Sequence, residues 1–188
     1  MRVATKNEIQ SSLAMTVGLI SFSMLFATLF MGYAWYRADS LIWPPQGMQK
    51  ISPLLPTLST LFIILSSFCL WKSRISFYKK KEQTAKIFYS ATWIFALSFI
   101  FSQNFLWQHL KKLGIYASSG IFGSLLYGFT WIHMGHIALG LLGLLSLIFL
   151  LFKSQEPNVS SSRFLNVEKF WHFLGLVWVL MYVGLFLF

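Results

Sequence analysis

Negative charge is scarce in this chain. The acidic residues are Glu8, Asp39, Glu82, Glu156 and Glu168, against 15 Lys and Arg, for a net charge of +10. Charged residues of both signs make up 11% of the 188 residues, too few to coat a water-soluble domain of this size. Cysteine is scarcer still. Cys69 stands alone inside an apolar run, which excludes an internal disulfide, a two-thiol metal site and a Cys-x-x-Cys-His haem attachment. It reads as a small buried apolar residue. The positive charge forms no basic stripe on a reading fold, so it does not argue for nucleic acid.

What the chain has instead is apolar mass: 56% hydrophobic residues, 19% aromatic, with 20 Phe and 8 Trp. These gather into five uncharged runs, roughly Leu13–Tyr36, Ile51–Trp71, Ile87–Trp107, Ile121–Phe152 and Phe170–Phe188. A helix needs about 20 residues to cross ~30 Å of hydrocarbon, and each run meets or nearly meets that length. The fourth run is too short for two spans and a turn, which predicts one long or tilted helix. The first run is longer than a signal-peptide core and shows no cleavage pattern, so it reads as a span. The expected architecture is therefore all-α: a polytopic bundle of five transmembrane helices, residues 1–188 forming a single integral membrane domain.

Pro53 and Pro56 fall near the start of the second run, where a missing N–H costs least. Before them, Trp43, Pro44, Pro45 and Gly47 predict a stiff, non-helical turn. Trp35, Tyr36, Trp43, Trp71 and Trp107 sit at run ends, as interfacial aromatics do.

Five spans place the N-terminus, the second loop and the fourth loop on one side. That side carries Arg2, Lys6, Lys72, Arg74, Lys79, Lys80, Lys81, Lys86, Lys153, Arg163 and Lys169. The other carries Arg37, Lys50, Lys111 and Lys112. The positive-inside rule then predicts an N-in, C-out topology. The lysines from Lys79 to Lys86 act as a topology determinant or as a site for anionic lipid headgroups. Ser160–Ser162 reads as an ordinary cytoplasmic turn.

Ionisable groups inside spans are the natural functional candidates. None of the five acids falls inside the runs as drawn, which argues against a stand-alone pump or coupled transporter. His133 and His136, spaced i, i+3, share one side of the fourth helix. They suit either a metal or haem site, or polar packing against hydroxyls and carbonyls of neighbouring helices. A metal needs more ligands. His172 belongs to the cytoplasmic end of the fifth run and His109 to the opposite surface, so neither completes a set, and packing is the better reading. Gly120, Gly123, Ser124, Gly128, Gly135, Gly140 and Gly143 enrich the fourth run in small residues; Ser124, Gly128 and Gly135 form a stripe suited to close helix approach. Gln103 and Asn104 are amides deep enough in the third run to need partners.

Four separated patches resemble subunit III of the haem-copper respiratory oxidases in its short five-span bacterial form. The first is Trp43-Pro44-Pro45-x-Gly47, followed by Leu55-Pro56-Thr57 and Ser66-Ser67. Gln103 matches a glutamine late in the next span. Tyr127 to His136, with Thr130, His133, Gly135 and His136, is similar to the family's Thr-Gly-Phe-His-Gly-x-His signature. Phe170-Trp171-His172-Phe173, with Val177, Trp178 and Tyr182, is similar to its Trp-His-Phe-x-Asp-x-Val-Trp signature. The departures are specific. Phe22, Leu106 and Gly175 stand where the family has carboxylates, and Trp131 and Met134 replace glycines of the third patch.

The resemblance implies a helical subunit with no haem or copper of its own, beside a catalytic subunit I that holds them. It also implies bound phospholipid, other oxidase subunits and a respiratory supercomplex as partners, and the bacterial cytoplasmic membrane as the location. The whole complex would reduce oxygen to water with electrons from cytochrome c or quinol while moving protons. A subunit-III-like partner of nitric oxide reductase, a small membrane b-type cytochrome, a small transporter and an assembly factor are the competing expectations.

Overall fold

The computed structural model describes residues 6–41, 52–153 and 157–187, and within them helices are the only regular secondary structure. The helices are α1 (Lys6–Asp39), α2 (Leu54–Tyr78), α3 (Glu82–Lys112), α4 (Ile121–Lys153) and α5 (Pro157–Tyr182), the last continuing as a π-helical turn over Val183–Leu187. Each of the five helices contains a segment long and apolar enough to cross a membrane, and no strand occurs among the described residues. The fourth run is a single helix of 33 residues. Trp43, Pro44, Pro45 and Gly47 lie outside the described residues.

One boundary differs from expectation. The fifth helix starts at Pro157, well before Phe170, and its membrane-length segment runs Ser162–Leu187. Ser160–Ser162 is thus helical and not a turn. Proline suits a first helical turn, where its fixed φ fits and its missing N–H is not needed.

α2 and α3 form the most intimate pair. Ser59, Ser66 and Ser73 recur every seven residues, close to two helical turns, and all three are fully buried. Ser59 Oγ pairs with Ser102 Oγ at 2.7 Å, Ser66 Oγ donates to the Thr92 carbonyl at 3.0 Å, and Ser73 Oγ donates to the Ala85 carbonyl at 2.9 Å. Small side chains let the backbones approach, and their hydroxyls bridge the gap. The partners descend along α3 as the serines ascend α2, so the pair is antiparallel. A tight turn joins the two helices. Lys81 N bonds to the Ser76 carbonyl and Lys80 N to the Phe77 carbonyl, the paired bonds of a Schellman motif, with Lys80 in the left-handed region at φ 55°.

α5 is the hub, touching α1, α2 and α4. Its inner face carries Trp171, Leu174, Val177, Trp178 and Met181, all buried. Asn166 Nδ2 donates to Ser11 Oγ and the Tyr33 hydroxyl donates to the Gly184 carbonyl, so α1 runs parallel to α5 and is held at both ends. Between these bonds Phe22, Phe26 and Phe30 pack against α4, and most of the remaining α1 surface faces outward.

The stripe of Ser124, Gly128 and Gly135 is not where helices meet. A Cβ added at Gly128 or Gly135 would have nothing within 4 Å, and Ser124 and Gly135 are exposed. The close approach is at Gly140, where an added Cβ would lie 2.8 Å from Leu174 Cδ1 and 3.0 Å from the Trp171 ring. Gly140→Val should therefore destabilise the α4–α5 pair by about 1–3 kcal/mol, the usual cost of overpacking. Gly135→Ala should leave stability unchanged or raise it by up to about 1 kcal/mol through helix propensity. Thermal unfolding of the detergent-solubilised protein separates the two; equal effects would disprove this packing.

Candidate functional site

Lipid offers backbone and side-chain polar groups no partners, so the polar groups inside the bundle are where function or packing must show. At mid-bundle, His133 is buried to 1% exposure. Its ring lies 5.7 Å from Trp178, 6.1 Å from Phe26 and 6.2 Å from Phe99, centroid to centroid. Neither ring nitrogen has a hydrogen-bond partner among the described residues, and neither does Gln103 Nε2. The expected bond from His133 to a hydroxyl or carbonyl is thus not made; aromatic rings surround the imidazole instead. His136 does bond a carbonyl, that of Ile132 in its own helix, through Nδ1 at 2.7 Å. Its ring stands edge-on to Phe22 of α1 at 4.3 Å.

Thr130 fastens α4 to α3. Its Oγ1 accepts from Trp107 Nε1 at 3.2 Å and donates to the Leu126 carbonyl at 3.0 Å. Gln103 is buried, whereas Asn104, expected to need a partner helix, is exposed and bonds the Ile100 carbonyl of its own helix. Adjacent positions on a helix point about 100° apart, so only one of two neighbouring amides can face the interior.

The two tryptophans of the last motif bind α5 to α2. Trp171 Nε1 donates to Ser66 Oγ at 3.2 Å, and Trp178 Nε1 donates to Thr60 Oγ1 at 3.0 Å. One turn beyond, the Tyr182 and Thr57 hydroxyls pair at 2.7 Å. The structure thus brings Trp178 and His133 together, and it sets Thr130 and Trp171 in separate helix–helix bonds. Gly135 faces outward, and His172 is grouped with a charged pair at one end of the bundle.

That pair corrects the expectation that no acid lies within a span. Glu168 sits inside α5, 4% exposed, because the helix begins earlier than its apolar run. One carboxylate oxygen forms an ion pair with Arg74 Nε of α2; the other lies 3.4 Å from His172 Nε2, a turn along α5. The Arg74 guanidinium also lies over the Tyr78 ring at 5.7 Å. Among the described residues no group of three or more His, Cys, Asp and Glu is placed to hold a metal.

Sequence reasoning missed the Ser59, Ser66 and Ser73 ladder, although its seven-residue repeat was a legible signal. The Arg74–Glu168 pair carried no local signal, since its members lie on separate helices. A groove of about 450 Å³ between α3 and α4, lined by Tyr89, Ser90, Trp93, Ile94 and Ile148, was equally invisible in the sequence.

Fold and polar seams together define a polytopic helical membrane protein whose interior polar groups join helices to one another. The sequence matches the model of the cytochrome c oxidase subunit III family over residues 4–188, and the chain belongs to that family. It is 28% identical over 173 residues to cytochrome c oxidase subunit 3 of Synechocystis sp., covering 90% of this chain and 72% of that one. It is 28% identical over 180 residues to cytochrome c oxidase subunit 3 of Thermostichus vulcanus, covering 93% and 86%. It is also 27% identical over 172 residues to cytochrome bo(3) ubiquinol oxidase subunit 3 of Buchnera aphidicola, covering 90% and 87%.

The buried ion pair makes an asymmetric prediction. Arg74→Met strands the Glu168 carboxylate and should cost about 3–5 kcal/mol. Glu168→Leu should cost less, because the Arg74 side chain is 22% exposed and can turn toward water. The double variant should sit near wild type. Denaturation of all three measures this; additive losses in the double variant would contradict a coupled pair.

Proposed function

We propose that this chain is the non-redox subunit III of a bacterial respiratory haem-copper oxidase, bracing the catalytic subunit I and holding phospholipid beside it. The complex reduces oxygen to water with electrons from cytochrome c or quinol and translocates protons; other oxidase subunits and a respiratory supercomplex are further partners. The observation that carries this reading is the family match over residues 4–188, joined to the fact that Gln103, Thr130, His133, Trp171 and Trp178 all pack inside the bundle. The chain acts as one membrane domain, N-terminus inside, in the cytoplasmic membrane. The excess of lysine and arginine on the side of the α2–α3 turn supports that orientation.

The side-chain geometry supports a bracing role over a redox one. Both ring nitrogens of His133 are shielded from access, and His136 already uses Nδ1 on a backbone carbonyl. A haem iron needs an approachable imidazole nitrogen, and His133 does not offer one. Both Glu168 carboxylate oxygens face basic groups, Arg74 and His172, which suits an anchor between helices. Outward-facing α1 and the unfilled stripe of Ser124, Gly128 and Gly135 leave close-packing surface for a partner helix.

Extraction in mild detergent through a tag on this chain should yield a preparation that shows haem absorbance and consumes oxygen. A stable preparation lacking any haem-copper subunit would overturn the assignment. Replacing His133 and His136 together by Leu removes no direct hydrogen bond between helices, so it should change helix association by less than about 1 kcal/mol and leave the haem-to-protein ratio of the complex unchanged. Haem loss in proportion to the substitution would instead make these histidines ligands.

A further inference from the structure

Gln103 Nε2 of α3 and both ring nitrogens of His133 of α4 have no hydrogen-bond partner among the described residues, and each residue is 1% exposed. Two contacts between these helices bracket them. The Phe99 ring lies beside His133, and Trp107 Nε1 donates to Thr130 Oγ1. Phe99, Gln103 and Trp107 follow one another at intervals of four on α3, so Gln103 stands between the two contacts on one helical face. On α4 the same contacts fall at His133 and Thr130, about one turn apart. Gln103 therefore sits opposite the turn from Thr130 to His133.

The neighbouring polar groups are already engaged. Trp178 Nε1 donates to Thr60 Oγ1, Ser102 Oγ pairs with Ser59 Oγ, and Thr130 Oγ1 accepts from Trp107 and donates to the Leu126 carbonyl. Burial closes Gln103 and His133 to bulk water and to any partner chain. A buried donor or acceptor left unsatisfied bears its desolvation cost in full, so such groups in a native interior call for a bound water or ion.

The chemistry selects between these. Gln103 Nε2 carries only N–H donors, whereas a neutral imidazole has one donor and one bare acceptor nitrogen. A shared ligand must accept from the amide and donate to the ring. A metal ion needs lone pairs, which an amide nitrogen does not offer. An anion accepts but does not donate. Water does both in the smallest volume. The remaining ring N–H faces aromatic side chains: Phe26 and Phe99 stand at 68° and 83° to the imidazole, the edge-on arrangement of a weak N–H···π contact.

We propose that one ordered water molecule is bound between α3 and α4, accepting a hydrogen bond from Gln103 Nε2 and donating one to a ring nitrogen of His133. It forms the middle rung of a seam whose outer rungs are the Tyr89 hydroxyl on the Leu144 carbonyl and Trp107 on Thr130. A water bridge is nearly as good as a direct bond and spans a wider gap, which suits two helices that touch sparsely. The site is made by this chain's own residues, so it goes beyond the assignment to an oxidase and does not rest on it.

The test is a cryo-electron microscopy map of the protein, purified with the subunits it retains, at a resolution that shows other buried waters. A peak about 2.7–3.2 Å from both the Gln103 amide and a His133 ring nitrogen is expected. Gln103→Met nearly keeps the side-chain volume and removes the donor; its map should lose that peak and keep the Trp107–Thr130 bond. A wild-type map with other internal waters but no peak here would overturn the site, as would a direct Gln103–His133 bond. A peak that survives Gln103→Met would also overturn it, because the water would then belong to His133 alone. Should the variant fail to fold, the wild-type map decides by itself.

Discussion

A single hydrogen-bond relay organises the bundle. The Trp171 indole N–H of α5 donates to Ser66 Oγ of α2, and Ser66 Oγ donates to the Thr92 carbonyl of α3. Three helices meet through one hydroxyl that is fully buried. In hydrocarbon no water competes for these groups, and association between helices has no hydrophobic drive of its own. The relay therefore fixes rotation and depth together. Once Ser66 faces both partners, Ser59 and Ser73 come onto α3, and Thr60 comes under the Trp178 indole.

The same logic accounts for the unequal packing of the helices. α2 meets α3 through serines and therefore closely. α5 meets α4 closely where Gly140 makes room for Trp171 and Leu174. α3 and α4 meet more sparsely, at Tyr89–Leu144, at Trp107 with Thr130 and Trp131, and where the Phe99 ring lies beside His133. α1 lies against α5 and presents aromatic rings to the histidines of α4, yet contributes few polar bonds: Ser11 with Asn166 and Tyr33 with Gly184. Polar bonding concentrates in α2, α3 and α5, and looser surfaces are left on α1 and between α3 and α4.

The number of spans was legible in the sequence because an uncharged run of membrane length suits hydrocarbon and little else. Their boundaries were less so. The fifth helix extends through Arg163, Asn166, Glu168 and Lys169, polar residues that hydropathy places outside a span. They are tolerated because Asn166 finds Ser11 and Glu168 finds Arg74, and both partners are supplied by tertiary structure. Thr130, Trp171 and Trp178 bond across helices, with partners that only the tertiary structure supplies. The surroundings of His133 were not legible either: an imidazole wrapped by Phe26, Phe99 and Trp178 depends on three other helices, and no local pattern reports that.

Charge inside the bundle is placed by the same demand for partners. Where the resemblance anticipates carboxylates, this chain carries Phe22, Leu106 and Gly175. Phe22 packs edge-on against His136, Leu106 is fully buried, and Gly175 lets Ser67 Oγ approach to 3.3 Å of where a Cβ would stand. Each of these sites is filled by packing that a carboxylate would disrupt. The buried acid among the described residues, Glu168, lies near one end of the bundle, opposite Arg74, where its charge is met and held. Lys79, Lys80 and Lys81, by contrast, are exposed at the α2–α3 turn, where their charge needs no partner inside the bundle.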